Sequence, residues 1–451
     1  MSQKVTKEEL LAKAKKPAQD AMKLHVDYRG KMQTILKCQV RGLDDFAIYY
    51  TPGVAAPCRA IQADESRLHE LTNRGNTIAV VSDCTRVLGL GDIGPKAGYP
   101  VMEGKCLLFK YLGGVDAVPI CLGTKDPDEI IQAVLWLQPS FAGINLEDIS
   151  SPKCFYILDE LRKKAEIPVW HDDQQGTATV VLAGLVNALK IAEKSLDRVI
   201  IAQLGVGGAG AAVNRVLIKA GVPAGNIRVV DLVDGEPTVL TNDLDLEKLF
   251  PYRGERLNKT NADKVRGGIP EALKGADVMI SFTRPGPGVV KPEWVKGMAE
   301  DAIVFAMANP IPEIWPWEAK EAGAKIVATG RSDFPNQVNN SMGFPAIFRG
   351  VLDVGAKTIT DDMCIVAAES LAKYAEERGI SEEDIAPRMD EEEAYIREAV
   401  AVGMEAQKEG IASITISKEE LRKKAESMIM SAKETHDALV KAGCIAPAVT
   451  D

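Results

Sequence analysis

A chain of 451 residues, 46% hydrophobic and 26% charged, is long enough for two or three soluble domains with a substantial core. Its 64 acidic against 54 basic side chains leave a formal charge of −10, which disfavours nucleic acid and anionic membrane surfaces as partners. Eight cysteines without a C-x-x-C pair exclude a disulfide framework and a zinc site, and point to reduced thiols in a cytoplasmic protein.

An amphipathic pattern over 6–25, with Thr6 and Glu9 as a capping box, predicts a helix at the start rather than a signal peptide. No apolar run is long and charge-free enough for a membrane span. Thr51-Pro52-Gly53 predicts a turn, with Pro presetting φ and Gly taking the unusual dihedral, so that Tyr49 and Tyr50 are held. A tyrosine before a turn more often packs than reacts. A strand over 77–81 ends in Ser82-Asp83-Cys84-Thr85-Arg86 and enters a glycine-dense stretch at 87–95, where backbone can approach a ligand closely. The plain reading there is a series of β-turns; Arg86 is the informative residue, a planar fork suited to a carboxylate. Lys105 heads an apolar segment, where a lysine ordinarily snorkels to water. Beside carboxylates and a metal it becomes a candidate general base. A strand at 115–120 and a helix opening at Pro127 continue a small α/β domain.

Two acidic pairs then close two strand-like runs. Glu147-Asp148 follows 141–146, and His171-Asp172-Asp173-Gln174-Gln175-Gly176 follows 167–170, ahead of a buried helix from Thr177 to Ala192. A lone Asp at such a turn is ordinarily an N-cap. Carboxylates at neighbouring strand ends repel one another unless a cation lies between them, and oxygen-only ligands suit Mg²⁺ or Mn²⁺ better than Zn²⁺.

A buried strand at 198–204 leads into Gly205-Val206-Gly207-Gly208-Ala209-Gly210, followed by a helix over 211–220 and a strand over 227–230 ending in Asp231. Gly205, Gly207 and Gly210 permit a tight turn against a dinucleotide pyrophosphate, and Asp231 takes the adenosine ribose. With no Lys or Arg between Leu232 and Thr238, that acid favours NAD over NADP. Strands at 277–282, 302–308 and 325–328 continue a doubly wound parallel sheet and place Ser281, Asn309 and Gly330-Arg331-Ser332 at strand ends. Amides over 336–340 precede a helix near Phe344, and from Asp361 the chain is helical and charged, with Ser417 and Glu420 as a capping box. The predicted organisation is α/β: an N-terminal catalytic domain (1–170), a Rossmann-type domain (171–360) and a helical C-terminal segment (361–451).

Read jointly, Tyr50-Thr51-Pro52-Gly53, Arg86-Val87-Leu88-Gly89-Leu90-Gly91-Asp92, Glu103-Gly104-Lys105, Asn145-Leu146-Glu147-Asp148, Asp172-Asp173-Gln174-Gln175-Gly176-Thr177-Ala178, Asn309-Pro310 and Asn339-Asn340 resemble the malic enzyme family from about Tyr49 to Asp353. The resemblance implies oxidative decarboxylation of L-malate to pyruvate and CO₂ with NAD, NADP being the alternative, and a divalent Mg²⁺ or Mn²⁺. It implies Glu147, Asp148 and Asp173 as metal ligands, Arg86, Asn309 and Asn340 as substrate contacts, and Asn309 also at the cofactor. Lys105 is then the base, Tyr50 the acid that protonates C3, and Asp172 the residue that orients Lys105. A homodimer or higher homo-oligomer is the family expectation. Gln175 stands where small bacterial members tend to have His, and the last ninety residues differ from the usual short tail. Three rival readings are a malolactic reaction releasing lactate, a metal-independent amino-acid dehydrogenase, and an NAD-binding protein without activity.

Overall fold

The computed structural model of this protein describes residue 17 and residues 20–448. The Thr6/Glu9 capping box lies outside the described residues. Residues 20–28 are helical, and two short helices follow, α1 (Leu43–Tyr49) and α2 (Ala55–Ala63). Of these α1 buries only Asp45 and α2 buries nothing.

The first sheet contains β1 (Thr77–Ser82), β2 (Asp116–Cys121), β3 (Gly143–Leu146) and β4 (Val169–His171), all parallel, in the order β2-β1-β3-β4. Runs such as Ile78-Ala79-Val80-Val81 are apolar at successive positions because helices cover both faces of a parallel sheet. The crossovers are α3 (Gly94–Gly113), α4 (Pro127–Leu137) and α5 (Lys153–Lys164). Asp126 caps α4 by accepting from Asp128 N at 2.9 Å and Glu129 N at 3.1 Å, with Pro127 in the first turn. α3 runs through Pro100, so Lys105 lies in mid-helix and not at the head of a segment.

The second sheet runs β10-β9-β8-β5-β6-β7, from β5 (Ile201–Leu204), β6 (Ile227–Val233), β7 (Glu236–Val239), β8 (Val278–Ser281), β9 (Ile303–Ala306) and β10 (Ile326–Thr329). Five strands are parallel; β7 is an antiparallel edge on β6. The intervening Asp234-Gly235 has φ of 51° and 87°, the two-residue hairpin turn that this dipeptide favours. α6 (Thr177–Ile191) joins the two sheets, and α7 (Gly208–Lys219) follows the glycine-rich turn.

The later helices are α8 (Phe344–Asp353), α9 (Asp361–Arg378), α10 (Glu392–Lys408) and α11 (Lys418–Lys441), the last with the Ser417/Glu420 box in place. α9 packs on α6, α10 on α8, and α11 on both α10 and α3. Phe344, Phe348, Val402 and Leu421 share one core with Ile78, Val80, Phe109 and Trp170. Residues after 340 therefore complete the core of the first sheet and brace the floor of the cleft between the sheets. Among the described residues no helix is long and apolar enough to cross a membrane.

Candidate active site

Four carboxylates meet one ammonium where β3 and β4 end. The chain leaves β4 through a widened turn over Asp172–Gly176, closed by a five-residue bond from Thr177 N to Asp172 O, before α6 begins. Such turns expand a helix start locally and are frequent at functional sites. The bland capping role for Asp172 does not hold. Its Oδ2 accepts from Lys105 Nζ at 2.6 Å and its Oδ1 from Trp170 Nε1 at 3.3 Å. A Cβ on Gly176 would stand 1.9 Å from Asp172 Oδ1, so this glycine is what lets the carboxylate turn inward.

Lys105 Nζ also lies 2.8 Å from Glu147 Oε1, while Glu147 Oε2 accepts from Asn145 Nδ2 at 2.8 Å. The ammonium rests 4.2 Å from the centre of the Phe344 ring, so α8 forms the wall beneath it. Asp148 has φ of 53° and gives its N–H to Asp173 Oδ2 at 2.8 Å. Burial by itself would lower the Lys105 pKa, but Asp172 and then Glu147 outweigh it and raise it. Burial raises Glu147, Asp148, Asp172 and Asp173; Lys105 opposes this and the neighbouring acids add to it. Buried His171 is pushed down to about 3 by desolvation and the nearby Lys105 charge, hence neutral.

The donor set suits a hard divalent cation. Asp148 Oδ2, Asn145 Oδ1 and both ring nitrogens of His171 are buried without partners, and a single ammonium faces four acids. Among the described residues no three side chains of ligating type already converge on one point. Glu147 is engaged by Lys105, and Asp173 by the Asp148 N–H.

The same cleft, about 770 Å³ in volume, is also lined by Gly207–Gly210 and by Arg86, Asn309, Gly330, Asn339 and Asn340, the last packed against the turn that carries Asp172. Gly205 has φ of 90°, and a Cβ on Gly210 would stand 2.1 Å from Gly205 O, so both positions need glycine. Asp231 Oδ2 accepts from Val206 N at 2.7 Å and its Oδ1 from Leu232 N at 2.7 Å, which sets it beside the glycine-rich turn. Arg86 holds Leu88 O at 3.2 Å and exposes its side chain at the cleft mouth.

Tyr50 is not brought to this site. Its side chain is 72% exposed, and it is not among the residues that line the cleft. Gly53 does not take a positive φ; it is needed because a Cβ would stand 2.3 Å from Ile48 O, and the turn leaves both tyrosines exposed. Sequence reasoning missed Glu313, buried, which accepts from Ser281 Oγ at 2.6 Å, Thr283 N at 3.0 Å and Ala308 N at 3.0 Å, and so ties together the ends of β8 and β9 that carry Asn309. No local motif announces it. Lys31 also lines the cleft, with Nζ on Pro100 O at 2.9 Å.

The families described as "Malic enzyme, N-terminal domain" and "Malic enzyme, NAD binding domain" match residues 29–162 and 174–407. This chain belongs to the malic enzyme family. A bifunctional malic/malolactic enzyme of Bacillus subtilis is 44% identical, over 91% of this chain and 98% of its own length. An NAD-dependent malic enzyme of Geobacillus stearothermophilus is 48% identical, over 85% and 78% respectively. The crystal structure of a malic enzyme from Pyrococcus horikoshii superposes with a TM-score of 0.90 at 53% identity, covering 94% of this chain and 99% of that one. In this malic enzyme, the cleft joins the glycine-rich turn to a lysine clasped by acids, with the amides of Asn309, Asn339 and Asn340 on two loops that line it.

Proposed function

We propose that this malic enzyme converts L-malate and NAD to pyruvate, CO₂ and NADH in a reaction that depends on a divalent cation. One observation carries the reading: Lys105, the buried ammonium at the acid cluster, is clasped by Asp172 and Glu147 in the cleft that the glycine-rich turn also lines. When bound, the nicotinamide accepts hydride from C2, and a divalent cation polarises the substrate oxygen. Glu147, Asp148 and Asp173 would hold the cation. Arg86, Asn309 and Asn340 bind the substrate carboxylates, with Asn309 also beside the cofactor. Gly205, Gly207, Gly210 and Asp231 hold the dinucleotide.

The proton chemistry belongs to Lys105. As the chain stands, two counter-anions keep Lys105 protonated, and an ammonium cannot take the C2 hydroxyl proton. Glu147 is among the acids that would hold a divalent cation; engaged in that way it would no longer neutralise Lys105, and Asp172 alone would orient a more acidic lysine. Tyr50 protonates C3 of the enol, and because it lies outside its own cleft, a second copy of the chain must deliver it.

The test follows reduced nicotinamide by absorbance with L-malate and Mn²⁺, NAD and NADP in parallel, with assays for pyruvate and lactate. NADH and pyruvate in equal amounts, abolished by EDTA, is the expected result. Turnover indifferent to EDTA removes the metal part. Independently of turnover, Mn²⁺ should raise the thermal midpoint of the wild type and not that of Asp148→Asn. The name of the B. subtilis relative favours one second reading, a malolactic conversion on the same site, which lactate without free NADH would establish.

A further inference from the structure

We propose that Arg253 is a phosphate-binding residue of the cofactor site, its guanidinium receiving a phosphate of the dinucleotide's adenosine half beside the glycine-rich turn. The assignment deepens the cofactor part of the reading above and rests on it.

The segment Phe250–Leu257 is fixed against the start of α7. Arg256 Nε donates to Asn214 Oδ1 at 2.9 Å and its NH2 to Ala211 O at 3.0 Å, in the turns that follow Gly210. Three residues earlier, Arg253 points to the seam between the domains. Its guanidinium carbon lies 5.1 Å from the ring of Phe155 on α5 and 5.1 Å from that of Phe250. Cys154, the neighbour of Phe155, has its Sγ 4.0 Å from where a Cβ on Gly208 would stand. On the other side Asp231, already bonded to Val206 N, attracts the guanidinium electrostatically. Arg253 therefore lies near the ribose-binding acid, on rings whose neighbour Cys154 faces the glycine-rich turn.

Asp231 attracts the charge of Arg253 without pairing with it. Its Nε is buried without a partner, its NH1 makes a 3.3 Å bond to Pro251 O, and among the described residues it forms no ion pair. Keeping a half-buried guanidinium uncompensated costs free energy that an arriving anion returns, and the planar fork matches two phosphate oxygens. Tyr252, just before it, has φ of 71°, a region a bulky residue seldom occupies, and this bend turns Arg253 toward the seam. The competing role is a purely structural strut stacked between two rings. A strut contributes to stability; a phosphate ligand contributes to nucleotide affinity.

The two sources of phosphate are the pyrophosphate, common to NAD and NADP, and the 2′-phosphate of NADP. Calorimetric titration of the full chain with ADP and with 2′,5′-ADP, for wild type, Arg253→Gln and Arg253→Lys, separates them. The measurement uses no malate, so failure of the enzymatic reading and failure of this assignment register separately. Arg253→Gln is expected to weaken at least one of the two ligands by roughly tenfold or more, with Arg253→Lys recovering part of the loss. Equal loss for both assigns the pyrophosphate. Loss confined to 2′,5′-ADP assigns the 2′-phosphate, and means that the chain can accept NADP in spite of Asp231. Unchanged affinity for both ligands in the Gln and Lys variants overturns the proposal, whatever happens to their thermal midpoints. Should Arg253→Gln fail to fold, the Lys variant decides: its fork is gone, so unaltered affinity there also overturns the proposal.

Discussion

Lys105 is an ammonium where the proposed reaction needs an amine, and its neighbours account for this. Desolvation of a lone buried lysine would make it a base near neutral pH, but Asp172 at 2.6 Å and Glu147 at 2.8 Å reverse the sign. The acids are in turn held up by burial, which Lys105 opposes. Replacing Lys105 with Ala removes the proton acceptor and leaves the glycine-rich wall of the cleft untouched. kcat for malate oxidation should fall by about 10²–10⁴-fold with NAD affinity unchanged, measured by steady-state kinetics and calorimetry on one preparation. A variant that keeps its turnover ends the role assigned here. Much of this site was legible at the residue scale, because acids at the ends of adjacent strands and glycines in a βα turn leave few chemical uses open. Arg253 and Glu313 were not legible. Arg253 lies well past the stretch from Leu232 to Thr238 that follows the ribose acid, and a carboxylate that ties two strand ends together carries no pattern in sequence.

Elements decide how rigidly that cluster is held. α8 begins at Phe344, under the Lys105 ammonium, and crosses α10 at glycines on both helices. A Cβ on Gly350 would stand 2.3 Å from Ala399 O, which is backbone and has no rotamer by which to withdraw. Gly350→Ala therefore sets two effects against each other. Helix propensity gains about 1 kcal/mol, while forcing the helices apart costs about 1–3 kcal/mol. The clash should win, for a net loss of up to about 2 kcal/mol, lowering the thermal midpoint by about 1–2 °C in a chain of this size. Because Phe344 moves with α8, kcat should fall as well. A variant as stable and active as wild type would show that the crossing yields freely. Most strands and the long helices were readable from buried β-branched runs and capping boxes. The edge strand β7 was passed over despite its Asp-Gly turn, because its four residues alternate too briefly to show a period. α3 shows no helical signature in sequence, since a mid-helix proline ordinarily ends a helix; here tertiary packing of Met102, Cys106 and Phe109 carries it through Pro100.

At the scale of the molecule, the segment from Leu43 to Ala63 does not belong to its own chain's core. Leu43, Phe46, Ile48, Tyr49 and Tyr50 are all exposed, and so are Leu88 and Leu90 on the loop next to Arg86, Leu88 lining the cleft. Exposed apolar surface of this extent marks an interface, and a two-fold pair would place one copy's α1–α2 segment against the other's Arg86 loop. Sequence could not show this, since amphipathic helices look alike whether they cover their own core or a partner's. Such a pair would make Tyr50 and Lys105 of one working site come from different chains, and complementation tests the proposal. Tyr50→Phe and Lys105→Ala are each expected to be nearly inactive as pure preparations. Mixed in equal amounts and allowed to exchange subunits, half the pairs carry both defects in one site and none in the other, so activity should recover to about a quarter of the wild-type value. Recovery must follow the time course of subunit exchange and disappear when exchange is blocked by cross-linking beforehand. A mixture that stays as inactive as its parts would mean that Tyr50 serves Lys105 of its own chain after a rearrangement of α1 and α2, or does not serve it at all.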